Sequence, residues 1–249
     1  MAPAAIDLNA DLGEGVTDDD ALLVVVTSAN VACGFHAGDS ASMRRVCERA
    51  AAQGVCVGAQ VSYRDRAGFG RRDIDVDACT LRADVTEQLA TLAELAERAG
   101  TRVRYVKPHG ALYNRAVWDD ERAAAVVDAV REHGRLPVLG LPGSRLLVLA
   151  EQAGLPAVAE AFADRAYTAT GTLVPRSVAG AVLEDPQTVA QRAVQMALHG
   201  RVRSIDGVPV PTPARSICVH GDTPGAVDLA LGVRRALQAA GLRLQAFAV

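Results

Sequence analysis

Arg102-Val103-Arg104-Tyr105-Val106-Lys107-Pro108-His109-Gly110-Ala111-Leu112-Tyr113-Asn114 decides how this chain is read. It opens as a short β-rich run, Arg102 to Val106, and breaks at Pro108 and Gly110 into a polar cluster. Lys107 is the single lysine of the chain, against 25 arginines. Arg is planar and always charged, whereas Lys is compact and responds to desolvation. Lys107, set beside Pro108 and His109, is therefore a position where that difference matters.

The same pattern recurs in both directions. Short strands alternate with longer Ala/Leu/Arg segments of helical period, the signature of β/α units and a parallel sheet. Strands are expected at Ala5–Asn9, Ala29–Phe35, Val55–Val61, Arg102–Val106, Pro137–Leu141, Ala157–Phe162 and Ser216–Val219. Helices are expected from Asp18 to about Val26, at Ala41–Gln53 capped by Asp39 or Ser40, and at Asp77–Ala99, Arg122–Glu132, Pro186–His199 and Ala226–Ala240. One more helix should end at Gly154. Asp206-Gly207 reads as a hairpin turn between Val202–Ile205 and Val208–Val210. Leu242–Phe247 reads as a closing strand. With 249 residues and no linker, low-complexity segment or internal repeat, the chain reads as one domain, an α/β (β/α) barrel.

Composition narrows the function. A net charge of −3 gives no electrostatic reason to expect nucleic acid or an anionic membrane. Leu22–Val26, the most apolar stretch, is far too short to span a bilayer, and residues 1–15 lack the basic start and apolar core of a secretion signal. Five cysteines without a Cys-x-x-Cys pair argue against a disulfide framework or structural zinc and suit a reducing cytoplasm.

Polar clusters follow every expected strand: Asp11/Glu14, Cys33/His36/Asp39, Gln60/Ser62/Arg71/Arg72, Lys107/His109/Asn114, Ser144, Asp164/Arg165 and His220/Asp222. In a (β/α) barrel all strand C-termini open on one face, where active sites lie. His36, His109 and His220 suit proton transfer or metal ligation there. His133 and His199, at helix ends before glycines, read as structural. An oxygen/nitrogen metal site drawn from Asp11, Glu14, Asp39 and Asp222 with histidine is open, although no tight ligand spacing is present. Arg71-Arg72 suits a carboxylate or phosphate fork. Cys33 reads as a small buried residue. No P-loop and no nucleophile elbow is encoded.

These stretches resemble the LamB/YcsF family, the A components of 5-oxoprolinases. The resemblance is carried by Ile6–Gly15, Ser28–Asp39, Gly68-Phe69-Gly70-Arg71-Arg72, Lys107–Asn114, Phe162–Tyr167, Leu173–Ser177 and Ile217–Gly225, in order along almost the whole chain. It implies a glycoside hydrolase/deacetylase-type barrel, incomplete at seven strands. It also implies ATP-dependent opening of 5-oxo-L-proline to L-glutamate with partner subunits B and C, Mg2+ accompanying the ATP. One departure stands out. Gln60 sits in Gly58-Ala59-Gln60-Val61-Ser62-Tyr63 where the family usually carries His, so a titrating or metal-ligating role is not implied there.

Opening a lactam needs cations for carboxylate and phosphoryl groups and a base for water. On that basis Lys107, Arg71 and Arg72 are expected to hold anionic groups, and Glu14, Arg176 and His220 are expected among the residues that bind substrate or phosphate. His109 or His36, oriented by Asp11 or Asp222, is the expected base, and Asn9 and Asn114 position the lactam. Two other readings remain open: a stand-alone metal-dependent amidohydrolase or deacetylase, and a non-catalytic substrate-binding subunit.

Overall fold

The computed structural model describes residues 4–223 and 225–248. Pro224 of the turn after His220, and residues 1–3 of the stretch read for a secretion signal, lie outside the described residues. Seven parallel strands close into a barrel: β1 (Ala5–Leu12), β2 (Ser28–Ala32), β3 (Cys56–Val61), β4 (Val103–Pro108), β5 (Val138–Gly140), β6 (Ala157–Phe162) and β9 (Ser216–Val219). Each pairs with the next, and β1 pairs with both β2 and β9, which closes the ring. The expected hairpin is β7 (Arg201–Arg203) and β8 (Pro209–Pro211), antiparallel and outside the barrel. The expected closing strand shrinks to β10 (Arg243–Leu244), which adds outside the ring at Ala5 and Ile6.

The helices follow from local signals. Helix α1 (Asp19–Leu23) stops short of Val26, because Val25 and Val26 both turn back to the Leu22 carbonyl before Ser28 starts the next strand. Helix α2 (Ser40–Gln53) begins with a capping box on Asp39 and ends at Gly54 in the left-handed conformation. Helix α3 (Ala78–Arg98) is capped by Asp77 and buries Leu81, Val85, Leu89 and Leu92. Each such side chain contributes roughly 1.5–3 kcal/mol on leaving water. Helix α4 (Gly110–Arg115) is a short element within the polar cluster that follows β4. Helices α5 (Asp120–His133), α6 (Arg145–Gln152), α7 (Pro186–His199) and α8 (Ala226–Ala239) complete the outer layer. His133 and His199 occupy the last turns of α5 and α7, as expected for helix-end residues, and Ser144 is spent capping α6. No helix among the described residues is long and apolar enough to cross a membrane.

Alternation along β1 sends Ile6, Leu8, Ala10 and Leu12 to the helical layer and Asp7, Asn9 and Asp11 into the barrel. All seven are buried. The barrel interior is thus polar, and the lower part is filled by hydrogen-bonded side chains. The Asp7 carboxylate accepts from Ser28 and Thr27 at 2.6 Å each and from Ser216. Tyr105 crosses the centre and donates to Asn30 at 2.6 Å. A Cβ on Gly58 would collide with its ring, so the facing strand position takes glycine. Phe247 packs on Tyr105 at 4.8 Å between centroids and plugs the end of the barrel where the strands begin.

Candidate active site

Lys107 leaves β4 above Tyr105 and points inward, 2 % exposed. Its Nζ lies 3.1 Å from Glu160 Oε2, 3.4 Å from Asp11 Oδ1, 3.4 Å from Asn9 Oδ1 and 3.2 Å from Cys218 Sγ. Burial works against the ammonium, but Asp11 and Glu160 outweigh it and hold Lys107 well above its ordinary range. Burial likewise opposes the Asp11 carboxylate, and Lys107 outweighs it, so Asp11 is held well below the usual carboxylate range. Glu160 is pushed up by burial, which Lys107 only partly offsets. The stable charged pair is therefore Lys107–Asp11, with Glu160 the more protonated neighbour.

Above this centre opens a cavity of about 410 Å3, lined by Asp11, Lys107, His109 and His220 together with Arg71, Arg165 and Arg176. Val117, Trp118 and the Leu173–Pro175 segment form its apolar wall. Asp222 pairs with both Arg71 and Arg176. Asp222 is therefore placed to aim two guanidinium groups, where the sequence reading made it the orienting partner of a histidine. Asn114 lines the cavity from α4 while its amide donates to the Gly110 carbonyl at 3.0 Å.

Arg72, Asn9 and Asp39 fall outside the cavity. Arg72 turns away from the cavity onto Asp65, whose carboxylate also takes the backbone N–H groups of Gly68 and Arg72 and so holds loop 64–72. Asn9 is fully buried below Lys107, bonded to Ser216 and Asn30, and is out of reach of a ligand in the cavity. Asp39 is the exposed cap of α2.

Glu14, His36 and His109 form a buried cluster beneath loop 64–72, and His109 also reaches the cavity wall. Gln88 of α3 ties both backbone groups of Ser62 (2.9 and 3.0 Å), and the Ser62 hydroxyl meets His36 Nδ1 at 2.9 Å. His36 Nε2 lies 3.3 Å from Glu14 Oε1. His109 Nε2 donates to the Phe69 carbonyl at 3.0 Å. A carbonyl only accepts, so that nitrogen carries the hydrogen, and in the neutral ring Nδ1 must accept from Gln60 Nε2 at 2.9 Å. Burial and the neighbouring His36 hold His109 well below its ordinary range, in keeping with a neutral ring. Gly70 passes so close that a Cβ there would sit 2.8 Å from His36.

The three ligand atoms of this cluster lie within 4.8 Å of one another, which invites a metal ion. The arrangement does not fit one. An amide N–H fills the His109 lone pair, and the two rings stack at 4.0 Å and 14°, so their lone pairs run in parallel planes instead of converging. Asp11 belongs to Lys107 and Asp222 to the arginines.

Beside the cavity, His220 Nδ1 meets the Asp164 carboxylate at 2.9 and 3.0 Å, and the His220 backbone N–H donates to the same carboxylate at 2.9 Å. The imidazole stacks on Phe162 at 5.2 Å. His220 is thus oriented by Asp164, and neither Asp11 nor Asp222 hydrogen-bonds a histidine among the described residues. Cys33 is buried as expected, its thiol pushed up by burial. Sequence reasoning missed Glu160. Its signal was a lone acid in the otherwise apolar strand Ala157–Phe162.

A closed parallel barrel with ionisable groups gathered at the strand C-termini is the deacetylase type of (β/α) fold. A family 4 carbohydrate esterase from Streptomyces lividans shares that fold, with a TM-score of 0.51, 10% identity and coverage of 98% of this chain and 93% of the esterase. The likeness is far closer elsewhere. The structure of a lactam utilization protein from Thermus thermophilus superposes with a TM-score of 0.92 at 40% identity, covering 98% of this chain and all of that one. The 5-oxoprolinase A component of Streptomyces griseus is 64% identical over 249 residues, 98% of this chain and 100% of the relative. The LamB/YcsF family model matches residues 6–249, and the chain belongs to that family.

Proposed function

We propose that this chain is the barrel component of an ATP-dependent 5-oxoprolinase, which opens 5-oxo-L-proline to L-glutamate together with subunits B and C. The family, the Streptomyces relative and the lactam-utilization neighbour support the substrate class. The observation that carries the chemistry is the Lys107 ammonium, fixed between Asp11 and Glu160 in a cavity walled by arginines.

A lactam carbonyl resists water until its oxygen is made able to bear negative charge. A pre-oriented ammonium in a water-poor site does that without reorganisation. Phosphoryl transfer from ATP, with its Mg2+, to the carbonyl oxygen raises the electrophilicity further, and Arg71 and Arg176 supply counter-charge for phosphoryl or carboxylate oxygens. The cytoplasm offers ATP and keeps the five free thiols reduced.

Trp118, the one tryptophan, stands on the cavity wall and reports occupancy. Titrating 5-oxoproline into the isolated chain, followed by Trp118 fluorescence and calorimetry, is expected to give saturable binding. L-proline, which lacks the carbonyl, is expected to give none. Equal responses to both would overturn the assignment of the cavity.

A further inference from the structure

We infer that His220 is the general base and acid of the ring-opening step, with Asp164 as its positioning residue. The inference rests on the 5-oxoprolinase reading above and adds the group that moves the proton. The three barrel-mouth histidines differ in one respect. His36 has both ring nitrogens engaged, by Ser62 and Glu14. His109 has both engaged, by Gln60 and Phe69. His220 has only Nδ1 engaged, by Asp164, and among the described residues no hydrogen bond reaches its Nε2.

The carboxylate of Asp164 is fully buried and is itself held by the His220 backbone N–H at 2.9 Å and Thr223 Oγ1 at 3.4 Å. It can only accept, so His220 Nδ1 carries the hydrogen and Nε2 presents a lone pair. Phe162 stacks beneath the ring and fixes its plane. His220 lines the cavity that Lys107 and Asp11 also line. The charged groups around it are Asp164 and Arg165 beyond β6, Asp11 of β1, Lys107 of β4, Asp222 beyond β9, and Arg71 and Arg176 from the flanking loops.

The step balances on these atoms. Water gives one proton to Nε2 as its oxygen bonds to the carbonyl carbon of the O-phosphorylated lactam. The ring C–N bond then breaks with its electron pair on nitrogen, nitrogen takes the proton back from Nε2, and a second water cleaves the remaining acyl phosphate to the carboxylate and inorganic phosphate. Asp164 stabilises the imidazolium between the two transfers and keeps its own charge.

Two measurements test this. In the complex with subunits B and C, Asp164→Asn is expected to lower kcat on the order of 10^3–10^4-fold with KM little changed, and to move the acid limb of the kcat/KM profile to lower pH. His220→Gln should fall to the same floor, and the double variant should be no worse, because the pair acts as a unit. In the isolated chain, 15N NMR of the His220 ring should show hydrogen on Nδ1 and a free Nε2, whatever the turnover. An Nε2-protonated ring, or variants with wild-type kcat and pH profile, would overturn the inference. Absence of any dependence of wild-type turnover on this chain would instead overturn the 5-oxoprolinase reading, leaving the tautomer result to judge the dyad.

Discussion

Lys107 Nζ lies 3.1 Å from Glu160 Oε2 and 3.4 Å from Asp11 Oδ1, so one ammonium inside the barrel joins carboxylates from β6 and β1. Removing the cation leaves two buried acids facing each other. Lys107→Met is expected to cost about 3–5 kcal/mol of stability, the scale for breaking a buried pair, and to abolish turnover in the complex. Adding Glu160→Gln should recover part of the stability and none of the turnover. Denaturant melts of the wild type and both variants check the first statement, and a fully stable Lys107→Met would contradict it.

Arg176 and Arg71 are held on the cavity wall by Asp222. A charge-assisted hydrogen bond contributes about 1.5–3 kcal/mol, so Arg176→Gln should raise the KM for 5-oxoproline roughly 10- to 100-fold. Asp222→Asn should weaken binding less, because the guanidinium groups remain but lose their aim. Steady-state kinetics in the complex separate the two, and an unchanged KM for Arg176→Gln would remove it from the site.

Gln60 fills the His109 lone pair with an amide hydrogen at 2.9 Å. With that lone pair taken and the two rings stacked, Co2+ titrated into the wild-type chain is expected to give no d–d absorption. A stoichiometric Co2+ spectrum from the wild type would show that the cluster reorganises around an ion.

Asp7 is buried at the lower end of the barrel, and desolvation raises its pKa from 3.8 to about 6 despite hydrogen bonds from Ser216, Ser28 and Thr27. Between those two values the folded chain holds a proton that the unfolded chain has released. Stability from this group is therefore complete below about 3.8 and is lost as pH rises to about 6, by roughly 3 kcal/mol in all. Asp7→Asn should flatten that part of the stability–pH curve. An unchanged slope would mean that Asp7 does not titrate in the window.

The barrel was legible because Ile6/Leu8 alternate with Asp7/Asn9, and because glycine and polar residues follow each strand. Lys107 was legible from composition, and it lines one cavity with Asp11, Arg71, His109 and His220. Partnerships were not legible. Asp222 stands two residues from His220 in sequence, yet the turn between them sends it to the arginines, while Asp164 reaches His220 because β6 and β9 are neighbours in the sheet. Arg71 and Arg72 part company for a similar reason. The turn at Gly70 (φ 67°) leaves Arg71 over the cavity and Arg72 over Asp65. Glu160 was hidden by its apolar neighbours, since pairing across a barrel depends on strand stagger that no local pattern records.

Glutamate release from 5-oxoproline and ATP by subunits B and C, measured with and without this chain, tests the central claim most directly. The expected result is stoichiometric glutamate and ADP when this chain is present, and no glutamate when it is omitted or replaced by Lys107→Met. Undiminished glutamate release in its absence would contradict the assignment.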